Sequence, residues 1–505
     1  MNDIETLLWE TDATGLAERV NGGDVAPLEL VDAAIARAEA TGHDINAIAE
    51  KLYDSAREQA KAVDRALPFA GVPFAIKDLA IAIEGVPMHS GSTAPPLVPD
   101  FSSVMVDRYR AAGLIPIATS TSPEYGLRLV TESKRFGITR NPWNRNHVTG
   151  GSSGGAAALV AAGVVPAAHA SDGGGSIRVP AACCGLVGLK TSRGRIPLTP
   201  LSSESWYGFV VDHVVTRSVR DSARLLDLTH GPDLLAPYQA REPSEPFAQA
   251  AARDPGKLTI GVYRKSPLGL EISSDTMIAL EKAVSLARDG GHSVEEIDLP
   301  MIDRAFMADF ARAVASATAG FVRAESIRNG RSIGPELERA TRVLARFGEV
   351  FSAGELYAAL ERLAAASRDL IARTAKYDAV LMPVIAHPPL KVGAMNPTGA
   401  DEFLENTLDR LRLTRLLRID QFLGQLMDKS LWFTHWPAIQ NVTGQPSISM
   451  PVHVTDAGLP IGIQAAGRPG DETTLLSFAA QMEKLSGWLD RRAPLRRPEA
   501  IPAAA

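Results

Sequence analysis

Cysteine is nearly absent: there are two, Cys183 and Cys184, adjacent in the chain, where a disulfide would strain the peptide between them. That excludes a disulfide framework, fits a reducing compartment and hence a cytoplasmic location, and leaves both thiols to be read as small buried hydrophobes. Long apolar runs are missing too. The longest, residues 156–168, is short of the roughly 20 residues a membrane helix needs and contains Pro166, so no span is expected. Met1 to Glu10 holds three acidic residues and no Lys or Arg, so it lacks the basic start of a signal peptide. Basic charge is not in excess: 52 Lys and Arg against 58 Asp and Glu give a net charge of −6, no footprint for nucleic acid. The ten histidines lack metal-ligand spacing, and neither H-E-x-x-H nor S-x-x-K occurs, which sets aside zinc proteases and penicillin-binding-type hydrolases. No metal or cofactor is expected.

What remains is a composition ordinary for a globular protein, 45% hydrophobic and 22% charged over 505 residues. Length alone suggests about three domains, yet large α/β enzymes often wrap this many residues around one sheet. Residues 27–40 and 52–67 read as helices of an N-terminal collar spanning 1–67. Residues 72–76, 103–112 and 114–118 read as strand, helix and strand, a βαβ unit with parallel pairing, and 258–263, 276–288 and 293–297 repeat the alternation. A late strand is expected at 379–385. Residues 231–256, which contain Pro and Glu and interrupt the periodicity, read as a long surface loop. Residues 303–424 are expected to be largely helical, with the mixed charge of 338–346 and 409–418 marking solvated faces. Residues 441–467 return to strand and turn, 472–485 form an amphipathic helix, and a Pro- and Ala-rich tail expected to be disordered follows.

Two serines are set in glycine, in Gly150-Gly151-Ser152-Ser153-Gly154-Gly155 and in Asp172-Gly173-Gly174-Gly175-Ser176-Ile177-Arg178. Glycine lets the backbone approach a ligand closely and presents free N–H groups beside the hydroxyl. The first segment could be a flexible linker, but it opens into Ala156 to Gly163, a helix of small residues whose free N-terminal N–H groups are expected to point back at the serines. It also satisfies G-x-S-x-G with Ser153 in the middle. A nucleophile elbow follows an apolar strand, however, and residues 141–149 are polar and turn-rich, so that reading is rejected. Upstream, Lys77 ends an apolar run, Gly71-Val72-Pro73-Phe74-Ala75-Ile76-Lys77-Asp78. For a lysine to act as a base near neutral pH, its pKa must fall by roughly 3 units from about 10.4, or about 4 kcal/mol, and burial behind Val72, Phe74 and Ile76 is expected to supply much of this.

These motifs, with Gly185-Leu186-Val187-Gly188-Leu189-Lys190, resemble the amidase signature family of Ser–Ser–Lys hydrolases. The likeness is strong over residues 68–194, with weaker support from Thr443-Gly444-Gln445-Pro446 and Gly458-Leu459-Pro460-Ile461-Gly462. It implies one α/β domain over residues 1–505, an amidase signature fold with a large, mixed, mostly parallel twisted sheet covered by helices on both faces. Within it lie the collar, a catalytic core at 68–230, a substrate-cleft region at 257–430 and a C-terminal sheet segment and helix at 431–490. It further implies Ser176 as nucleophile, Ser152 as a bridging serine in a cis peptide and Lys77 as base. The backbone N–H groups of Gly173, Gly174, Gly175 and Ser176 take the place of the oxyanion hole. Ser153 falls at a supporting position, and Asp172 and Arg178 at a bracing pair. Tyr125, Trp143, Tyr207 and Trp432 are aromatic candidates for lining the pocket, with core burial the competing reading for each.

Ser171 stands where the family commonly has Thr, Lys190-Thr191-Ser192 where it has K-P-T, and His147-Val148-Thr149 where it has R-x-P. The segments 69–73 and 180–185 are similar to those of aminohexanoate (nylon) oligomer hydrolases within the family. The implied activity is hydrolysis of a small linear, cyclic or aryl amide, or of a carbamate or ester by the same acyl transfer. The small-molecule substrate is the expected partner, with no nucleic acid and no membrane, for a chain working as a monomer or homodimer. The alternative is the amidase-like subunit of a tRNA-dependent amidotransferase, which would release ammonia from glutamine and purify with partner chains.

Overall fold

The computed structural model describes residues 3–396, 399 and 427–495. Fifteen strands occur among them: β1 (Ile48–Lys51), β2 (Pro73–Lys77), β3 (Ile115–Ser120), β4 (Glu132–Ser133), β5 (Gly137–Ile138), β6 (Arg140–Asn141), β7 (Asn144–Val148), β8 (Ala167–Asp172), β9 (Val187–Lys190), β10 (Val211–Thr216), β11 (Thr259–Val262), β12 (Ser293–Glu296), β13 (Ala379–Pro383), β14 (Ser447–Val454) and β15 (Pro460–Gly467). Eleven form one sheet in the order β1-β3-β2-β8-β10-β9-β14-β15-β13-β11-β12, and β4-β5 and β6-β7 are separate hairpins. Every residue of β2, β3, β8, β9, β10, β13 and β15 is buried. Strands whose alternate side chains are all buried must be covered on both faces of the sheet.

Both expected βαβ units are present: β2 pairs with β3, and β11 with β12, in parallel. The sheet is mixed as expected, but parallel pairing is not its majority. Four of its ten pairings are parallel (β2-β3, β2-β8, β11-β12, β11-β13) and six antiparallel. The antiparallel pairings other than β1-β3 join β8, β10, β9, β14, β15 and β13 across the centre of the sheet. Within the expected loop at 231–256, Phe247–Ala252 is helical. Its first N–H groups are taken by the Asp227 carboxylate at 2.7 and 2.8 Å, a cap supplied from 20 residues upstream that the local sequence could not reveal.

The region expected to be helical contributes Arg304–Arg328, Arg339–Val350 and Ala353–Thr374, while the charged stretch 409–418 lies outside the described residues. Phe306, Phe310, Phe347 and Leu363 from these helices join Trp436 and Val380 in a second apolar cluster beside the main core. This cluster holds the helices against the sheet and makes them a wall of the cavity described next. The parallel pairs β2-β3 and β2-β8 bring the carboxyl ends of three strands, at Lys77, Ser120 and Asp172, to one edge of the sheet. Loops beyond carboxyl strand ends are where α/β folds place their ligands.

Candidate active site

Lys77 closes β2, a strand whose five residues are all buried, so its amine emerges inside the protein rather than in water. Nζ lies 2.8 Å from Ser152 Oγ and 2.8 Å from Ser171 Oγ. Burial pulls the amine down to about 7, against the opposing influence of the Asp212 and Asp172 carboxylates. The direction and its cause, burial, are those expected from the apolar run that precedes the lysine. Asp78, next in sequence, takes the His89 N–H at 2.8 Å, and burial raises its carboxyl to about 7.

Ser152 follows a cis peptide from Gly151. Ser153 supports the same turn: its Oγ lies 3.3 Å from the backbone N and O of Ser171, and its N–H donates to Ser176 O at 3.3 Å. The two serine loops are thus tied together. The following helix, Gly154–Ala161, is wholly buried. Its first N–H groups do not point free at the serines as expected: Gly154 N donates to Thr131 Oγ1 at 3.1 Å and Gly155 N to Thr121 O at 3.3 Å. A buried helix end needs such partners. Glycine is required here by proximity, since a Cβ on Gly155 would sit 2.5 Å from Thr121 N.

The second loop is organised by Asp172. Its carboxylate accepts from Gly175 N at 2.8 Å and from Ile177 N at 3.2 Å, and meets Arg178 Nε at 3.0 Å and Nη2 at 2.9 Å. Burial alone would raise this carboxyl, but the Arg178 guanidinium and the Asn441 amide hold it well below the usual range. Arg178, fully buried, also binds Gln440, Gln464, Asn441 and Pro437 O, so the pair braces the loop that carries Ser176 against the C-terminal segment. Because Gly175 N–H is committed to Asp172, it is not free to face an oxyanion. Among the described residues, the N–H groups of Gly173, Gly174 and Ser176 have no acceptor within hydrogen-bond distance. Gly175 itself sits at φ +128°, which only glycine adopts readily.

A cavity of about 450 Å³ opens over Ser152, Ser171, Gly173 and Ser176. A second, of about 160 Å³, shares Gly126, Leu127, Ser176 and Trp206 with it and reaches Gly174. Of the four aromatic candidates, Tyr125 lines the larger cavity and packs on Phe321 with ring centroids 4.6 Å apart. The other three line neither. Trp143 donates its indole N–H to Cys184 O at 2.8 Å, Tyr207 packs on Phe209, and Trp432 packs on His387. Trp206, next to Tyr207, lines both cavities, and Ser171, read in the sequence only as a departure from a motif, is the second partner of the lysine.

A buried amine beside the Ser152 and Ser171 hydroxyls, the Ser176 hydroxyl on the same cavity, and unpaired N–H groups around it form an arrangement suited to acyl transfer. The Amidase family model matches residues 29–476. The chain is 33% identical over 520 aligned residues to the 6-aminohexanoate-cyclic-dimer hydrolase of Paenarthrobacter ureafaciens, with 98% of this chain and 99% of that protein covered. Among solved structures, a 6-aminohexanoate cyclic dimer hydrolase superposes with a TM-score of 0.89 at 31% identity, covering 97% of this chain and 99% of that one. A bacterial aryl acylamidase of the amidase signature family superposes with a TM-score of 0.83 at 26% identity, covering 97% and 100%. The chain belongs to the amidase family, and it is a hydrolase of amide carbon–nitrogen bonds. No helix among the described residues is long and apolar enough to cross a membrane.

Proposed function

We propose that Ser176 is the nucleophile, Ser152 the proton relay and Lys77 the base in hydrolysis of a small linear, cyclic or aryl amide. The contact that carries this reading is the 2.8 Å approach of Lys77 Nζ to Ser152 Oγ on the cavity that also holds Ser176. As a neutral amine, Nζ accepts the Ser152 proton while donating to Ser171. Ser152 in turn takes the proton of Ser176 as Ser176 Oγ attacks the substrate carbonyl. The negative oxygen that develops is met by the N–H groups of Gly173, Gly174 and Ser176. On collapse, the proton returns from Lys77 through Ser152 to the leaving nitrogen, the amine departs, and Ser176 keeps the acyl group as an ester. Water, activated by the same relay, then releases the acid. A carbamate or an ester fits the same cycle, since only the leaving atom or the acyl substituent changes. The similarity to hydrolases of 6-aminohexanoate cyclic dimer and of aryl amides favours substrates of that size. The reading has the chain act alone, as a monomer or homodimer, in the cytoplasm.

The test is a panel of aryl amides, aryl carbamates, short aminohexanoate amides and glutamine, assayed with the wild type and with Ser176→Ala. Loss of a covalent nucleophile is expected to cost at least about 10³-fold in turnover. Unchanged turnover by Ser176→Ala on the best substrate would reject the assignment. Ammonia release from glutamine alone would favour the amidotransferase reading.

A further inference from the structure

Two unequal chambers meet at Ser176, and they differ in which catalytic groups they contain. The chamber of about 450 Å³ holds Ser152, Ser171 and Gly173, and its wall carries charged residues at Glu204, Glu325 and Arg328. The chamber of about 160 Å³ reaches Ser176 and Gly174 but not Ser152. Its lining is dominated by Leu129, Phe310, Val314, Leu344 and Phe347, and none of the described residues lining it is charged. Ala311 lines the small chamber only, and Ala317 the large one only.

We infer that the small chamber takes the acyl group and the large chamber the leaving amine, so that the substrates are amides of compact, uncharged, apolar acids with larger amines. The inference rests on the proposed relay through Ser152. A scissile carbonyl attacked by Ser176 has its acyl substituent on one side and its nitrogen on the other. The nitrogen must receive a proton from Ser152 before it can leave, so it lies in the chamber Ser152 lines. The acyl substituent is left with the other chamber. A dry cavity of about 150 Å³ lined by Leu, Ile and Phe holds one benzene ring, so a space of this size admits a benzoyl group or a short alkyl chain. An acyl carboxylate would be buried there without a counter-charge among the described lining residues, a costly placement. The large chamber, wider and with charged groups on its wall, tolerates bulk and polarity in the amine.

Two substrate series test this on the intact enzyme. With 4-nitroaniline as the fixed leaving group, the acyl group is varied from acetyl through butyryl and benzoyl to 4-phenylbenzoyl, with succinyl as the charged counterpart of butyryl. With benzoyl fixed, the amine is varied from aniline to 4-aminobiphenyl. Wild-type kcat/KM is expected to fall at least about 10-fold from benzoyl to 4-phenylbenzoyl and from butyryl to succinyl, and to change less than about 3-fold along the amine series. Ala311→Phe should lower the benzoyl-to-acetyl ratio at least about 10-fold, whereas Ala317→Phe should lower the ratio of 4-aminobiphenyl to aniline amides instead. A reversed pattern, with amine size limited and acyl size free, would overturn the assignment while leaving Ser176-dependent hydrolysis intact. If neither series is cleaved in a Ser176-dependent way, it is the underlying catalytic reading that fails. The wild-type series decides the matter even if a variant does not fold.

Discussion

Lys77 Nζ and Ser152 Oγ stand 2.8 Å apart, and the residues that carry them are 1% and 2% exposed. Burial lowers the amine to about 7, and in the proposed mechanism its protonation is coupled both to stability and to rate.

The stability consequence has a definite sign. The folded pKa, about 7, lies below the ordinary value of 10.5, so between those pH values the unfolded chain binds the additional proton. Lysine burial therefore destabilises the fold most below pH 7, and the penalty fades as pH rises through 10.5. Lys77→Met removes this titration. Its urea-unfolding free energy should exceed that of the wild type at pH 6, with the difference shrinking by up to about 5 kcal/mol by pH 10.5. Urea titrations of both proteins at several pH values check this, and a pH-independent difference would contradict it. In the same window, wild-type kcat/KM should rise with pH through about 7, as the amine loses its proton.

Ser171 holds the second hydrogen bond of the lysine, at 2.8 Å. Ser171→Ala should leave Nζ with one partner and lower kcat by roughly 10- to 100-fold, the worth of a buried hydrogen bond to an ionisable group, while KM changes little. Ser171→Thr keeps the hydroxyl and should restore most of the rate. If the alanine and threonine variants behave alike in steady-state kinetics, Ser171 does not position the amine.

Arg178 uses Nε and both terminal nitrogens on Asp172, Gln440, Gln464, Asn441 and Pro437 O. Arg178→Met would leave the Asp172 charge buried and unpaired, and should destabilise the protein by about 3–5 kcal/mol, read from the urea midpoint. Arg178→Lys should not rescue it, because a single ammonium cannot span those partners.

The parts of this site that could be read from the sequence are those whose chemistry is local. The serines flanked by glycine, the lysine at the end of an apolar strand, and Asp172 six residues before Arg178 each carry their signal within a few positions. The rest depends on distant contacts. Whether Trp206 or Tyr207 faces the cavity is set by a turn in which both have positive φ, at 50° and 58°, a reversal that residue type does not announce. Trp143 is drawn from the cavity by Cys184 O, 41 residues away in sequence. The first N–H groups of the Gly154–Ala161 helix look free in the sequence because their acceptors, Thr131 and Thr121, lie in separate loops upstream. The motif points to Gly175 as part of the oxyanion hole, but the tight turn around Asp172 claims its N–H. The central antiparallel pairings likewise join segments far apart in the chain, such as β9 with β14.

The central claim is that the substrate is carried as an acyl group on Ser176, and intact-mass spectrometry followed by peptide mapping addresses it directly. An aryl carbamate that acylates rapidly and is released slowly should add one carbamoyl mass to the wild type, located on the peptide bearing Ser176, and none to Ser176→Ala. A carbamoyl group found instead on Ser152 or Ser153, or turnover persisting in Ser176→Ala, would contradict the account.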